Sequence, residues 1–373
     1  MIVLYFIILI SLSMFSYGFI DLNLPLTNNA LLLTWFAPLR QIVYFERPIA
    51  AVIFFLILLG LTGWYLFAFF RSEKLFVSWK KLWIVIGTTV VILVCSFSAF
   101  SYDLFNYMAT AKVAFTHHEN PYVVMPIEIP NEPYLAFTRA ANKVALYGPL
   151  WIGITALPHA LGGGDIWRTI ISFKLLNALV YVFFVFFIYR VTKSKKNVVF
   201  FACNPLILIE VFVSGHNDIV MMAFAMVGLY LWLEKKRLFG LFFLFFSWCT
   251  KVPTLVLAPL ILLKNSSWQR VLLYAYGLMS FVFFVLAPLR EELYPWYAVW
   301  LISIAAFFDL KKHAFLIGWT LCLSFALELR HLPYIYMGQY GGFGPMVRSL
   351  LTIIPLGLYL VVYGMKKYHE HKK

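Results

Sequence analysis

The chain has 373 residues, of which 63% are hydrophobic and only 12% are charged, whereas soluble domains carry about 25% charged residues. Its net charge of +14 does not indicate nucleic-acid binding, because the lysines and arginines fall in short breaks between apolar runs and form no basic stripe. This composition excludes a soluble enzyme and predicts an integral membrane protein with no nucleic-acid partner.

Apolar runs long enough to cross about 30 Å of hydrocarbon recur along the chain. The first run lacks a basic segment and a small-residue cleavage site, which favours a retained helix over a signal peptide. The stretch 238–264 is too long for one span and is interrupted at Lys251, so we predict two shortened helices there. Ordinary spans are predicted at 2–20, 49–70, 82–101, 168–189, 197–214, 218–233, 270–289, 297–309, 313–330 and 346–365.

One long polar segment, residues 101–167, follows the third predicted span. Assigning the basic breaks to the cytoplasm makes this segment a large first external loop. Within it, residues 149–161 are apolar but too short to span, which is typical of a surface-lying or re-entrant helix. No repeat and no soluble domain are visible, so we predict a single transmembrane domain over residues 1–373. The predicted fold class is an all-α polytopic bundle of about 10–12 transmembrane helices.

The cysteines and histidines form no familiar metal motif. The four cysteines lie in apolar runs, at spacings that match neither zinc binding nor a disulfide framework. His117 and His118 are adjacent and therefore point in different directions, and no further ligands follow at a zinc spacing. Solvated loop residues are the favoured interpretation of this pair. The cysteines are Cys95, Cys203, Cys249 and Cys322.

Asp103 is the first candidate for chemistry, because it follows the hydrophobic run that leads into the external loop. A carboxylate at the membrane edge is costly unless it is solvated or paired, so it marks a candidate site. Such a group can act as a general base that removes a proton from an acceptor hydroxyl. The structural alternative is an interfacial aspartate that caps a helix.

The second candidate is the polar cluster at residues 215–218, which includes His216 and ends at Asp218. Glu210 precedes Asp218 by two helical turns, so we predict that these two carboxylates share a helix face. Carboxylates beside a histidine can bind a divalent cation or the hydroxyl groups of a sugar. The alternative is an N-cap of the next span, formed by Asn217 or Asp218.

Cations and aromatic rings on the same predicted side provide a third group. Lys251 lies alone at a helix break, where it can neutralise a phosphate. Arg290, Arg330 and Arg348 can bind a phosphate bidentately. Snorkelling to the interface is the alternative for each of these cations. Trp296 belongs to an aromatic cluster suited to a sugar ring or a prenyl chain, with an interfacial aromatic belt as the alternative.

Six short motifs follow one another along about 150 residues: Tyr102-Asp103 with Tyr107, Asn120-Pro121-Tyr122, Tyr147-Gly148-Pro149-Leu150, Asn204-Pro205, His216-Asn217-Asp218 and Lys251-Val252-Pro253. Each motif is weak alone, whereas the ordered set is fairly specific. In this order they resemble the motifs of the GT-C superfamily of polyprenol-phosphate-dependent glycosyltransferases. Within it, the chain is most similar to bacterial and archaeal α-mannosyltransferases that use polyprenyl-phosphate mannose.

The resemblance implies a GT-C-like membrane fold with its active site on the extracytoplasmic face of the cell membrane. It implies an inverting transfer of a hexose, with mannose favoured, from a polyprenyl-phosphate donor to a lipid-linked or glycan acceptor. Asp103 would be the catalytic base, and a divalent cation (Mg or Mn) on Asp103 and Asp218 is compatible with the pattern. The substrate-binding residues would be Tyr102, Tyr107, Asn120, Tyr122, Tyr147, Glu210, His216, Asn217, Asp218 and Trp296. The residues for the lipid phosphate would be Lys251, Arg290 and Arg330.

Two features depart from the pattern of the superfamily. Two spans precede the one that ends at Asp103, where many relatives have one. The stretch after Arg348 is short and adds no soluble domain for an acceptor. The acceptor is therefore the least determined part of the prediction.

A transporter or a flippase of lipid-linked sugars is the rival hypothesis, because such proteins also combine many helices with buried charges. Lys174, Glu210 and a pair formed by Glu328 and Arg330 would then provide a coupling path. The lack of an inverted repeat and the length of the external loop argue against it. The lack of a Gly-rich phosphate loop agrees with a lipid-linked donor in place of a nucleotide sugar.

Overall fold

The computed structural model describes residues 1–21, 30–132, 135, 138–290 and 292–372, and the described part of the chain contains helices but no strands. Helices are expected, because a backbone inside lipid must satisfy its own hydrogen bonds. The α-helices, numbered α1 to α18, are Ile2–Ser16, Ala30–Phe45, Arg47–Phe70, Ser72–Leu75, Trp79–Val94, Asp103–Phe115, Pro149–Gly162, Ile166–Thr192, Lys195–Ala202, Pro205–Ile207, Asp218–Leu233, Arg237–Thr250, Trp268–Phe281, Ala287–Arg290, Ala298–Ala305, Ala314–Glu328, His331–Met337 and Gly344–His371. Other helical turns are 3-10 helices at Tyr17–Phe19, Pro126–Glu128, Val252–Leu262 and Pro295–Tyr297, and π-helices at Leu208–Val213 and Val282–Leu286.

Six helical segments of the described chain are long and apolar enough to cross a membrane. A seventh is obtained if the bent pair Lys195–Ala202 and Pro205–Val213, which meet at 48°, is one span. The predicted all-α polytopic membrane class is therefore confirmed. The six segments are Ile2–Phe19, Arg47–Phe70, Ile166–Thr192, Trp268–Leu289, Ala314–Met337 and Gly344–Glu370.

At three of the predicted spans, the helix is too short to cross the hydrocarbon layer by itself. Helix α5 has 16 residues, α11 has 16 and α15 has 8. A 16-residue helix is about 24 Å long, less than the roughly 30 Å of hydrocarbon. The count of about 10–12 crossing helices therefore stays a prediction, because these shorter helices do not reach the length of a full crossing on their own.

The break predicted inside 238–264 is present. Helix α12 ends at Thr250, Lys251 is extended, and a 3-10 helix follows over Val252–Leu262. Proline explains the change, because Pro253 supplies no backbone N–H at the point where α12 would continue. Thr254 satisfies groups at the break, since its hydroxyl lies 2.7 Å from that of Ser247. This break is confirmed as the end of two shortened helices.

The segment predicted as the external loop, residues 101–167, contains two short helices, α6 and α7, that pack against each other and against α8. The apolar stretch predicted at 149–161 is the 14-residue helix α7, so its short helical character is confirmed. Two backbone hydrogen bonds join this region to the other helices. Gly148, just before α7, donates to the carbonyl of Thr250 (3.1 Å), and Ala99, just before the segment, donates to that of Val213 (3.2 Å). The first of these bonds places the start of α7 at the Lys251 break.

Candidate active site

Asp103 is the first residue of α6, and its carboxylate does not cap that helix. The N-cap is Tyr102, which makes no side-chain cap bond, so the capping alternative is not supported. The backbone N–H of Asp103 donates to Ser101 Oγ (3.1 Å), and Asn106 Nδ2 donates to Asp103 Oδ1 (3.4 Å). The side chain is 24% exposed. Asp103 is thus fixed in place but open to a substrate.

His216 lies directly behind Asp103 and is fully buried. Its Nδ1 is 3.2 Å from Oδ2 of Asp103, and its Nε2 is 3.3 Å from Oε2 of Glu210. The ring is stacked on Trp296, with 4.0 Å between ring centroids. Gly215 permits this placement, because it has φ +83° and a Cβ there would lie 2.7 Å from Leu104. An imidazole is therefore held between two carboxylates.

Burial alone would lower the pKa of His216, but hydrogen bonding and charge from Asp103 and Glu210 outweigh it and raise that pKa to about 9. Burial would likewise raise the pKa of Asp103, but His216, with a smaller contribution from Lys251, holds it below its ordinary value. At neutral pH the pair is accordingly an imidazolium beside a carboxylate. The ionised carboxylate of Asp103 can therefore accept a proton.

A second cluster forms around Asp218, the first residue of α11. Lys251 Nζ lies 3.0 Å from both carboxylate oxygens, and Trp300 Nε1 donates to Oδ1 at 2.6 Å. Asp218 is fully buried, whereas the Lys251 side chain is 17% exposed and lies 5.7 Å from the ring centroid of Tyr297. Asp218 therefore holds a partly exposed ammonium group at the helix break.

Glu210 and Asp218 do not share a helix face, contrary to the sequence prediction. The π-helix that carries Glu210 ends at Val213, and α11 begins anew at Asp218. Glu210 consequently faces His216 and His331, while Asp218 faces Lys251. The two acids belong to opposite sides of one polar region.

A cation bridging Asp103 and Asp218 stays a prediction that the geometry does not favour. Both oxygens of Asp218 already accept hydrogen bonds from Lys251 or Trp300. In the described part of the chain, the group of acids and histidines close enough to hold a metal is a different one. It consists of Glu210, Glu328 and His331.

Tyrosines join the two clusters. Tyr107 donates its hydroxyl to Asn217 Oδ1 (3.2 Å) and accepts from the Asn217 backbone N–H (3.4 Å). Its ring meets that of Tyr147 edge-on at 4.6 Å. Tyr102 lies under the guanidinium of Arg139, 4.7 Å from its ring centroid. Tyr107, Asn217 and Tyr147 thus form a buried wall, while Tyr102 lies at its edge.

The other predicted residues of the loop make structural contacts. Asn120 Oδ1 accepts from the backbone N–H of Tyr122 (3.0 Å), and the Tyr122 hydroxyl donates to the carbonyl of Tyr147 (2.8 Å). Gly148 must be glycine, because a Cβ there would lie 2.1 Å from the carbonyl oxygen of Cys249. These contacts dock the loop on the helix break, and substrate binding by Asn120 and Tyr122 stays a prediction.

Of the predicted cations, Lys251 is the one placed beside Asp218. Arg330 is buried and bonds to Glu292 Oε2 (3.1 Å) and Thr352 Oγ1 (3.0 Å). The predicted pair of Arg330 with Glu328 is therefore wrong, because Glu328 faces His331 at 3.9 Å. The side chain of Arg290 lies outside the described part of the chain.

Sequence reasoning missed three residues of the site. Asn106 could have been predicted from the sequence, because it follows Asp103 by one helical turn and residues at that spacing share a helix face. His331 follows Glu328 by three residues, a spacing that joins them across the end of α16. No local pattern identifies Trp300, whose indole reaches Asp218 across 82 residues of sequence.

The all-helical membrane architecture and the family match together identify a polytopic membrane glycosyltransferase of the GT-C kind. The chain belongs to the alpha-(1->6)-mannopyranosyltransferase (MptA/B) family, whose N-terminal-domain model matches residues 4–266, more than half of the chain. The predicted resemblance is confirmed, and the protein is an α-mannosyltransferase. No curated protein and no solved structure matches it. The matched range contains Asp103, His216 and Lys251, whereas Trp300 and His331 lie beyond it.

The family favours the enzyme over the transporter. Lys174, which the transporter hypothesis placed on a coupling path, is buried and donates to the carbonyl (2.7 Å) and hydroxyl (2.8 Å) of Ser96. It thus ties α8 to the end of α5, immediately before the loop that leads to Asp103.

Proposed function

We propose that the protein transfers mannose from polyprenyl-phosphate mannose to a hydroxyl group of a lipid-linked or glycan acceptor, with inversion at the anomeric carbon. The observation that carries this proposal is the partly exposed carboxylate of Asp103, ionised against His216. The cation of Lys251 is near enough to lower the pKa of that carboxyl. A base and a cation are the two groups that such a displacement needs.

In the proposed step, an acceptor oxygen attacks the anomeric carbon from the face opposite the phosphate. Asp103 takes the hydroxyl proton as the new C–O bond forms. The bond from the anomeric carbon to the phosphate oxygen breaks, and the polyprenyl phosphate leaves with the electron pair. A phosphate needs no general acid when a cation stabilises the departing charge. Lys251 supplies that cation, and Asp218 with Trp300 holds it in position.

A single displacement agrees with the burial of the other two carboxylates of the site. One displacement inverts the anomeric carbon, and one base suffices for it. Asp218 and Glu210 are fully buried, so neither is placed to form a covalent sugar intermediate. Trp296, stacked on His216, offers an aromatic surface for the sugar ring.

We place the site on the extracytoplasmic face of the cell membrane. The basic breaks, counted as cytoplasmic, leave the Asp103 loop and the Lys251 break on the opposite face. A lipid-linked donor can be presented there, where nucleotide sugars are absent. The acceptor's hydroxyl would enter beside the exposed edge of Asp103.

Transfer by Asp103→Asn tests the role of this carboxylate. The variant keeps the side-chain shape but loses the base, so turnover should fall by on the order of 10²–10⁴-fold. Asp165→Asn is the matched control, because Asp165 is exposed in the same loop and asparagine caps a helix as well as aspartate does. Turnover of Asp103→Asn close to that of the control would refute the assignment.

A further inference from the structure

We propose that Glu210, Glu328 and His331 bind a divalent transition-metal cation, zinc or manganese, beneath the Asp103 site. The three side chains come from the π-helix, the end of α16 and the start of α17. One ligand atom from each lies within 4.8 Å of the others. His331 Nε2 is 2.8 Å from Glu210 Oε1 and 3.9 Å from Glu328 Oε2.

Burial provides a second, independent indication of a ligand. Glu210 and Glu328 are both 0% exposed, and among the described residues neither oxygen of Glu328 has a hydrogen-bond partner. A buried carboxylate without a partner costs several kcal/mol or more. A divalent cation removes that cost, because two carboxylates balance its charge and the neutral imidazole supplies the third ligand.

The spacing of the donor atoms fits such a cation. Tetrahedral bonds of about 2.0–2.2 Å to nitrogen and oxygen place neighbouring ligand atoms about 3.4 Å apart. The two distances from His331 Nε2, 2.8 and 3.9 Å, lie on either side of that value. Three protein ligands leave one coordination position for water, and an imidazole among the ligands favours a transition metal over magnesium or calcium.

The surroundings of His331 agree with a fixed ligand. Its ring lies 5.1 Å from that of Phe100 and meets that of Phe54 edge-on at 6.2 Å. These contacts limit rotation of the ring and so hold its Nε2 towards the two carboxylates. A cation held there would orient Glu210, whose other oxygen faces His216.

The metal would therefore position the base without touching the substrate. His216 contacts Asp103 on one side and Glu210 on the other, so fixing Glu210 fixes the imidazole. This inference does not depend on the sugar donor or the acceptor. Its test measures bound metal directly, so the metal site can be refuted while the proposed mannosyl transfer still holds.

Metal content of the purified protein is the first test. The wild-type chain, Glu328→Gln and Glu132→Gln would be purified without added metal and analysed by mass spectrometry. Glu132 is a suitable control, because its side chain is only 7% exposed and pairs with Lys112 instead. We expect about one zinc or manganese per wild-type and control chain, and a loss of about tenfold or more in Glu328→Gln. A wild-type chain with no more metal than Glu328→Gln would overturn the proposal.

Thermal unfolding of the wild-type chain gives a second test that needs no variant. A chelator should lower the unfolding temperature, and added zinc or manganese should restore it, because a ligand of the native state stabilises that state. Protonation of Glu328 would instead explain its burial without a metal. In that case the chelator would change nothing, Glu328→Gln would be at least as stable as wild type, and the metal site would be refuted.

Discussion

The pair formed by Lys251 and Asp218 offers the sharpest test of the site, because its two partners differ in burial. Asp218 is fully buried, whereas the lysine side chain is 17% exposed. Lys251→Met would leave a buried carboxylate whose remaining donor among the described residues is the indole N–H of Trp300. Asp218→Asn would instead leave an ammonium group that can turn towards water.

The expected costs follow from that difference. Removing one partner of a buried pair costs about 3–5 kcal/mol, so Lys251→Met should be strongly destabilising. Asp218→Asn should cost about 1–2 kcal/mol, because the freed cation keeps its solvation. At roughly 2 °C per kcal/mol, the unfolding temperature should fall by roughly 6–10 °C and 2–4 °C respectively. The double variant should recover most of the larger loss.

Thermal unfolding followed by tryptophan fluorescence, together with mannosyl transfer, separates stability from chemistry. We expect the double variant to regain stability but to remain inactive, because Asp218→Asn cannot replace the missing cation. Equal destabilisation by the two single variants would refute the buried-pair account. Full activity in the double variant would show that Lys251 does not stabilise the leaving phosphate.

Two further predictions address the loop and the base. Gly148→Ala should lower the unfolding temperature and cost about 1–3 kcal/mol, since its Cβ would lie 2.1 Å from the Cys249 carbonyl oxygen. Gly153→Ala should be harmless, because no described residue lies within 4 Å of its Cβ, and equal effects of the two variants would contradict the docking of the loop. In the pH profile of kcat/KM, wild type should keep its activity to below the ordinary carboxyl pKa, because His216 lowers the pKa of Asp103. His216→Gln should move this acid limb to higher pH, since Lys251 and Asn106 alone then oppose the effect of burial on the pKa of Asp103. An acid limb that stays in place would show that it does not report the titration of Asp103.

Helix ends were the predictable part of this site. Asp103, Asp218 and Lys251 each follow or interrupt an apolar run, and polar residues at such points mark the ends of helices in a membrane protein. These three residues also belong to the motifs that carried the family resemblance. Composition likewise sufficed for the all-helical membrane class, because lipid leaves the backbone few alternatives.

Contacts between distant helices were not predictable. Glu210 faces His331, which is 121 residues away, because a π-helix turns it from the face that a regular α-helix would give. Arg330 binds Glu292, 38 residues away, in place of Glu328, and Arg348 of α18 binds the same carboxylate. Periodicity places a residue on a helix face but does not identify the helix opposite.

Mannose transfer from radiolabelled polyprenyl-phosphate mannose, compared with GDP-mannose, tests the central claim most directly. Purified protein would be supplied with each donor and a range of lipid and glycan acceptors, with Asp103→Asn and Asp165→Asn alongside. We predict an α-mannosyl product from the lipid donor alone, formed by wild type and Asp165→Asn and lost in Asp103→Asn. Transfer from GDP-mannose, or undiminished transfer by Asp103→Asn, would contradict the account.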